Sequence, residues 1–248
     1  MKVLVLSQVS IPAARRTIPD WHELRALGCE VSLGRPGECH FTPDAVILMG
    51  VGSMGLAAEA MHRFPGAAFL AYHWDCYEWV WTNPRPGEYD YRAYGELLKK
   101  AREVWVPSRC TGLRAEQWWG PLPWRVIRSC CPHWDHPAVT DRGYLLCPLR
   151  EIPDPWWGVF ARCCQELHLP YLMTRHELGY QEYQEAVAGC RALVSPLYEL
   201  STGGLTLLEG HRLGKPVLLS DSPWHGGRDY FGDRAWYFPH GDEEAFKR

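Results

Sequence analysis

The stretch 192–239, ALVSPLYELSTGGLTLLEGHRLGKPVLLSDSPWHGGRDYFGDRAWYFP, constrains the fold more than any other part of the chain. Residues 192–194 form an apolar run too short for a helix, and it ends in a polar, glycine-rich turn, Ser201-Thr202-Gly203-Gly204. Leu205, Leu207 and Leu208, followed by His211 and Arg212, wrap a helix that Gly214-Lys215-Pro216 stops. A second buried strand is expected over 216–220. A strand, a helix and a second strand in this order make a crossover, and a crossover joins parallel strands.

The same grammar runs from the first residues onward. Strands are expected over 2–6, 30–33, 45–49, 67–72, 103–106 and 124–127, with helices over 20–27, 55–63, 94–101 and 111–119 between them. After the kinked polar segment Cys130-Cys131-Pro132-His133-Trp134-Asp135-His136-Pro137 the pattern restarts. Strands are then expected over 144–147, 171–173, 192–194, 216–219 and 235–238, and helices over 156–167 and 180–188. The reading is α/β: two Rossmann-like domains, 1–136 and 137–248, with parallel sheets facing across a cleft. No internal sequence repeat and no low-complexity segment is visible.

Composition narrows the function classes. The formal charge of −3 gives no global attraction to nucleic acid or anionic membrane. No run of eighteen apolar residues offers a membrane span. The opening MKVLVLSQVS reads as a buried strand and not as a signal peptide. The ten cysteines are scattered without a CxxC, which reads as reduced, structural thiols in a cytoplasmic protein. His133 and His136 beside Cys130 and Cys131 match no zinc spacing, so no metal site is expected. Trp118-Trp119 and Trp156-Trp157 cannot both face one helix side, so one member of each is expected nearer a surface.

Chemistry concentrates at strand ends. A helix opening at Leu205 presents free backbone N–H groups and a positive dipole end, a seat for phosphate. Glu209 on the same helix can accept hydrogen bonds from a vicinal diol such as ribose. Together these suggest a nucleotide or nucleotide-sugar. His73-Trp74-Asp75 closes the fourth strand, where parallel sheets place ligands. The turn Gly50-Val51-Gly52-Ser53-Met54-Gly55 is out of register with GxGxxG, and the turn after the first strand lacks glycine, so no dinucleotide site is expected there.

The stretch VSPLYELSTGGLTLLEGHRLGKPVLLSD resembles the C-terminal signature of family 4 glycosyltransferases, which have the GT-B fold. Gly204-Leu205, Leu208-Glu209 and Gly214-Lys215-Pro216-Val217 match in register, and Asp229 stands where relatives carry Glu. The family's first glutamate has no counterpart in register: eight residues before Glu209 stands Ser201, and Glu199 is two residues earlier. LLKKAREVWVPSRCTGLRAE, RVIRSCCPHWD and YHWD resemble the family's N-terminal strand ends and domain crossover. The donor-phosphate segment is replaced by GYLLCPLREIPDPWWGVF, in which Arg150 is the nearest basic residue to the family's Gly-Arg and Lys.

The resemblance implies a glycosyltransferase, a hexosyl- or pentosyltransferase, that moves sugar from a nucleoside-diphosphate sugar to a hydroxyl acceptor with retained anomeric configuration. It implies a donor site on the second domain: Glu209 on the ribose, Thr202, Gly203, Gly204 and Leu205 at the phosphates, and Arg150 against the leaving diphosphate, with Arg15 and Arg16 as further candidate cations. Glu199 or Ser201 would meet the sugar hydroxyls, and His73 and Asp75 the donor sugar or the acceptor. The nucleotide-sugar is the donor substrate; no separate cofactor and no metal is expected. The acceptor stays open among glycan, lipid-linked sugar, small molecule and hydroxylated DNA base, and the sequence carries no sign of oligomeric state. The alternative is a catalytically silent nucleotide- or sugar-binding protein of the same fold.

Overall fold

The computed structural model describes residues 1–6, 21–74, 90–128, 140–148, 155–174, 178–199 and 204–248. The chain divides into two compact units, Met1–Cys130 and Cys131–Arg248. The expected domain boundary at 136/137 falls in 129–139, outside the described residues.

The first unit alternates strand and helix. Its elements are β1 (Lys2–Leu6), α1 (Trp21–Ala26), β2 (Glu30–Leu33), β3 (Ala45–Met49), α2 (Met54–Arg63) and β4 (Ala68–Tyr72), then α3 (Tyr91–Lys100), β5 (Glu103–Val106), α4 (Arg109–Trp119) and β6 (Trp124–Val126). The six strands form one sheet in the order β2-β1-β3-β4-β5-β6, and every pairing is parallel. All five residues of β3 are buried. Helices cover both faces of a parallel sheet, so its central strands read as unbroken apolar runs. Side chains alternate between the faces: Leu4, Leu6, Val46 and Leu48 pack in one core layer, Val3, Val5, Ile47 and Met49 in the other. Helix starts are set by caps. Asp90 accepts from the Ala93 N–H at 2.9 Å, and Ser108 Oγ from the Thr111 N–H at 3.4 Å.

The second unit holds β7 (Leu145–Pro148), α5 (Trp156–Glu166), β8 (Tyr171–Thr174), α6 (Tyr180–Gly189), β9 (Ala192–Ser195) and α7 (Leu205–Arg212), then β10 (Val217–Asp221), α8 (Gly227–Phe231), β11 (Trp236–Pro239) and α9 (Glu243–Lys247). Its sheet runs β11-β10-β9-β7-β8, again wholly parallel. Cys147, Phe160, Cys164 and Val194 form a buried core between α5 and the sheet. Gly210 lets α7 lie close on β9: a Cβ there would stand 2.2 Å from Leu193 Cδ1. Arg162 holds Glu243 through two contacts of 2.5 and 3.4 Å, and Lys247 meets Glu166 at 2.7 Å, tying α9 to α5.

The expected strands and long helices are present within one to three residues at each end. The five-residue helices α8 and α9 were not expected from sequence, because segments of that length are too short to display a helical period. One tryptophan of each pair is buried, Trp119 and Trp156, and its neighbour is half-buried, as the helical period requires. The seven described cysteines carry thiols. Among the described residues no helix is long and apolar enough to cross a membrane.

Both sheets are wound alike. In each, the unit's first strand lies between its second and third, so the chain reverses direction across the sheet beside that first strand. Such a switch point, at the carboxyl ends of the strands, is where open parallel sheets accept ligands. In the second unit it lies between β7 and β9. The segment leaving β7 carries Arg150, and the segment leaving β9 carries Glu199 and leads into α7.

Candidate functional site

The second unit gathers polar groups where β9, β10 and β11 end. Ser195 is the last residue of β9 and is buried, as are Glu199 four residues on, Ser220 on β10, and Ser222 and His225 after it. Burying polar groups of this kind costs free energy unless each has a partner.

Two histidines supply such partners. The Gly227 N–H donates to His225 Nδ1 at 3.0 Å. His225 Nε2, 3.2 Å from Ser195 Oγ, therefore carries the ring proton and donates it to the serine. Burial, with the nearby His240 second, pushes the His225 pKa down to about 3, so the ring is neutral at physiological pH. This tautomer excludes serine-nucleophile chemistry at Ser195, which needs an unprotonated Nε2 facing the hydroxyl. One strand over, Ser220 Oγ lies 3.0 Å from His240 Nδ1, and the His240 ring packs 4.9 Å from Tyr198 and 5.2 Å from Trp156.

Glu209 sits in the second turn of α7 and is 4% exposed. Its Oε2 accepts a short hydrogen bond from the hydroxyl of Tyr183, which comes from α6. The same hydroxyl lies 2.7 Å from Thr206 Oγ1, one turn before Glu209 on α7. The helix begins after Gly204, whose φ of 83° and ψ of 111° lie in a region closed to most side chains. That backbone turns the chain sharply into the helix start expected to receive phosphate.

Of the residues expected from sequence to form the site, Glu199, Gly204, Leu205 and Glu209 are described on this unit. Arg150, Ser201, Thr202 and Gly203 lie outside the described residues, as do Asp75, Arg15 and Arg16. His73 belongs to the first unit. It follows β4, is fully buried, and its Nδ1 lies 3.4 Å from the Tyr94 hydroxyl. Its ring packs edge-on against Trp119 at 5.3 Å. His133 and His136 are outside the described residues, and among those described no group of three His, Cys, Asp or Glu side chains has metal-binding geometry.

Sequence reasoning missed Tyr183, Thr206, Ser195, His225, Ser220 and His240. Tyr183 lies 26 residues from Glu209 and His225 lies 30 from Ser195, so no local period signals either pair. The one cue was His225 directly before the Gly226-Gly227 turn.

No protein-family model matches the chain, and no curated protein sequence matches it. Solved structures do. Sucrose-phosphate synthase from Thermosynechococcus elongatus superposes with a TM-score of 0.66 at 13% identity, over 99% of this chain and 88% of that one. Anabaena HepE, in complex with UDP and glucose, gives 0.59 at 13% identity over 100% and 88%. The fold is GT-B-like. The trehalose-6-phosphate synthase OtsA matches at 0.56 with 7% identity, over 82% of this chain and 62% of that one. At identities this low the likeness carries the two parallel, Rossmann-like sheets of the GT-B-like fold, and the chemistry has to be argued from this chain's own residues.

Proposed function

We propose that this chain is a glycosyltransferase that binds a nucleoside-diphosphate sugar on its second unit and transfers the sugar to a hydroxyl acceptor. The observation that carries the reading is Glu209: a buried carboxylate on the helix following β9, next to the topological switch point, held by a neutral hydroxyl donor. An ionised carboxylate is an acceptor-only group, suited to the paired hydroxyls of ribose. The preceding helix start suits the diphosphate. Solved proteins of the same fold include Anabaena HepE in complex with UDP and glucose, which supports the ligand class.

In the proposed reaction the bond between the sugar's anomeric carbon and the donor phosphate oxygen breaks, and its electron pair leaves with the nucleoside diphosphate. The acceptor oxygen bonds the same carbon on the same face, and the leaving phosphate takes the acceptor's proton. Configuration is retained, and no dedicated general base is required. Arg150 would balance charge on the leaving diphosphate. Glu199 or Ser201 would bind sugar hydroxyls and Asp75 would orient sugar or acceptor, while His73, fully buried against Tyr94 and Trp119, would act only from behind the groups that meet them. Hydroxyl acceptors of several classes satisfy this scheme, a modified DNA base among them.

One observation favours a second reading, a silent binding protein: Glu199 precedes Glu209 by ten residues, where the resembled motif places its carboxylates eight apart. Binding and hydrolysis of UDP-, GDP-, ADP- and TDP-sugars without added metal separate the two. Glu209→Ala should weaken the preferred nucleotide by about a hundredfold, the loss of two hydrogen bonds to a charged group. Release of free nucleoside diphosphate by wild type supports the transferase, and tight binding without release supports the silent protein. If no donor binds, and folded Glu209→Ala matches wild type, the nucleotide reading is wrong.

A further inference from the structure

The Tyr183 hydroxyl touches two side chains of α7, Thr206 at 2.7 Å and Glu209 Oε2 by a short hydrogen bond. Thr206 and Glu209 are three residues apart and so share one face of the helix. A phenol has a single proton. An ionised carboxylate has none to give, so with Glu209 ionised the tyrosine proton goes to Glu209, and the Thr206 hydroxyl donates to the tyrosine oxygen in turn. The three groups form a directed relay, Thr206 to Tyr183 to Glu209. Tyr183 is itself fixed in the first turn of α6, whose start is held by the Gly179 N–H donating to Glu182 at 2.9 Å.

We infer that Tyr183 is a positioning residue for ribose recognition, with Thr206 behind it. A glutamate side chain has three rotatable bonds, and orienting it costs conformational entropy when a ligand must do the work. The relay orients it in advance, from a neighbouring helix, by holding Oε2. A cis-diol then meets an acceptor already aimed, and a 2′-deoxyribose leaves one aimed acceptor site unmet. Tyr183 therefore contributes to the discrimination of ribonucleotides from deoxyribonucleotides without touching the ligand. This rests on the proposed role of Glu209.

The test measures equilibrium binding of UDP, GDP and ADP and of their 2′-deoxy counterparts to wild type, Tyr183→Phe, Thr206→Val and Glu209→Ala, with thermal unfolding as a fold check. Tyr183→Phe is expected to cut the ribo-over-deoxy preference by roughly tenfold, the worth of one hydrogen bond to a charged group. It should leave the deoxynucleotide dissociation constant within about threefold of wild type, and Thr206→Val should give a smaller change in the same direction. A residue with only a structural role would weaken both ligands alike. A full preference in Tyr183→Phe, together with its loss in Glu209→Ala, overturns the role of Tyr183 and leaves that of Glu209 standing. A full preference in Glu209→Ala, or no nucleotide bound by folded wild type, overturns both.

Discussion

The two units share one winding and spend their buried volume differently. Beside the carboxyl end of β4 the first unit packs rings: Tyr94, Trp119 and His73 lie within 5.3 to 5.7 Å of one another. Its buried polar residues are Ser53, His73, Ser108, Thr111 and Arg114, with no carboxylate among them in the described residues. The second unit buries two carboxylates, Glu199 and Glu209, and a ladder of serines and histidines across β9, β10 and β11. An apolar aromatic cluster adds stability, whereas buried carboxylates cost it unless a ligand repays the desolvation. A shared topology therefore specifies where a ligand site can be built, and side chains at the strand ends decide which sheet builds it.

The sharpest way to break this contrast is to empty the aromatic cluster. Trp119→Ala should cost about 3–5 kcal/mol in urea unfolding, the usual penalty for removing a buried indole. A loss below about 1 kcal/mol would show that the cluster is not where the first unit draws its stability.

The second prediction concerns acid. His225 stays neutral in the folded protein down to about pH 3, whereas an unfolded histidine takes up a proton below its ordinary value of 6.5. The unfolded state thus binds more protons between those limits, so stability is full above pH 6.5 and falls as pH drops toward 3. His225 alone should contribute a slope of about 1.4 kcal/mol per pH unit through that window. Asn in its place can still accept from the Gly227 N–H but does not titrate, so His225→Asn should flatten the slope between pH 6 and 4. An unchanged slope would mean that the ring titrates normally.

The smallest expected effect is on Glu209 itself. Glu209→Leu preserves volume and leaves Tyr183 its contact with Thr206, so urea stability should shift by less than about 1 kcal/mol while nucleotide binding weakens by about the hundredfold expected of Glu209→Ala. A destabilisation of about 3 kcal/mol or more would make the carboxylate a structural group, and the contrast between the units would then concern stability alone.

Much of the fold was legible in the chain. Apolar runs such as 45–49 could only be buried strands, Gly214-Lys215-Pro216 could only stop a helix, and alternation of strand with helix required parallel sheets. Part of the candidate site could be proposed from the chain too. Glu209 and the Gly203-Gly204 pair stand in a local sequence pattern whose spacing has chemical meaning, although Arg150, Asp75 and residues 201–203 fall outside the described residues.

By itself the sequence determined the longer elements and the parallel direction of the strands, because helical and strand periods, caps and breakers act over a few residues and hold wherever the segment sits. Only the tertiary structure decided which strands became neighbours, that Tyr183 from one helix would aim Glu209 on the next, and that the Gly227 N–H would settle the His225 tautomer and make Ser195 an acceptor. The physical reason is range. A hydrogen bond between residues 26 or 30 positions apart leaves no period in the chain, and its partners become identifiable only once helices and strands have packed.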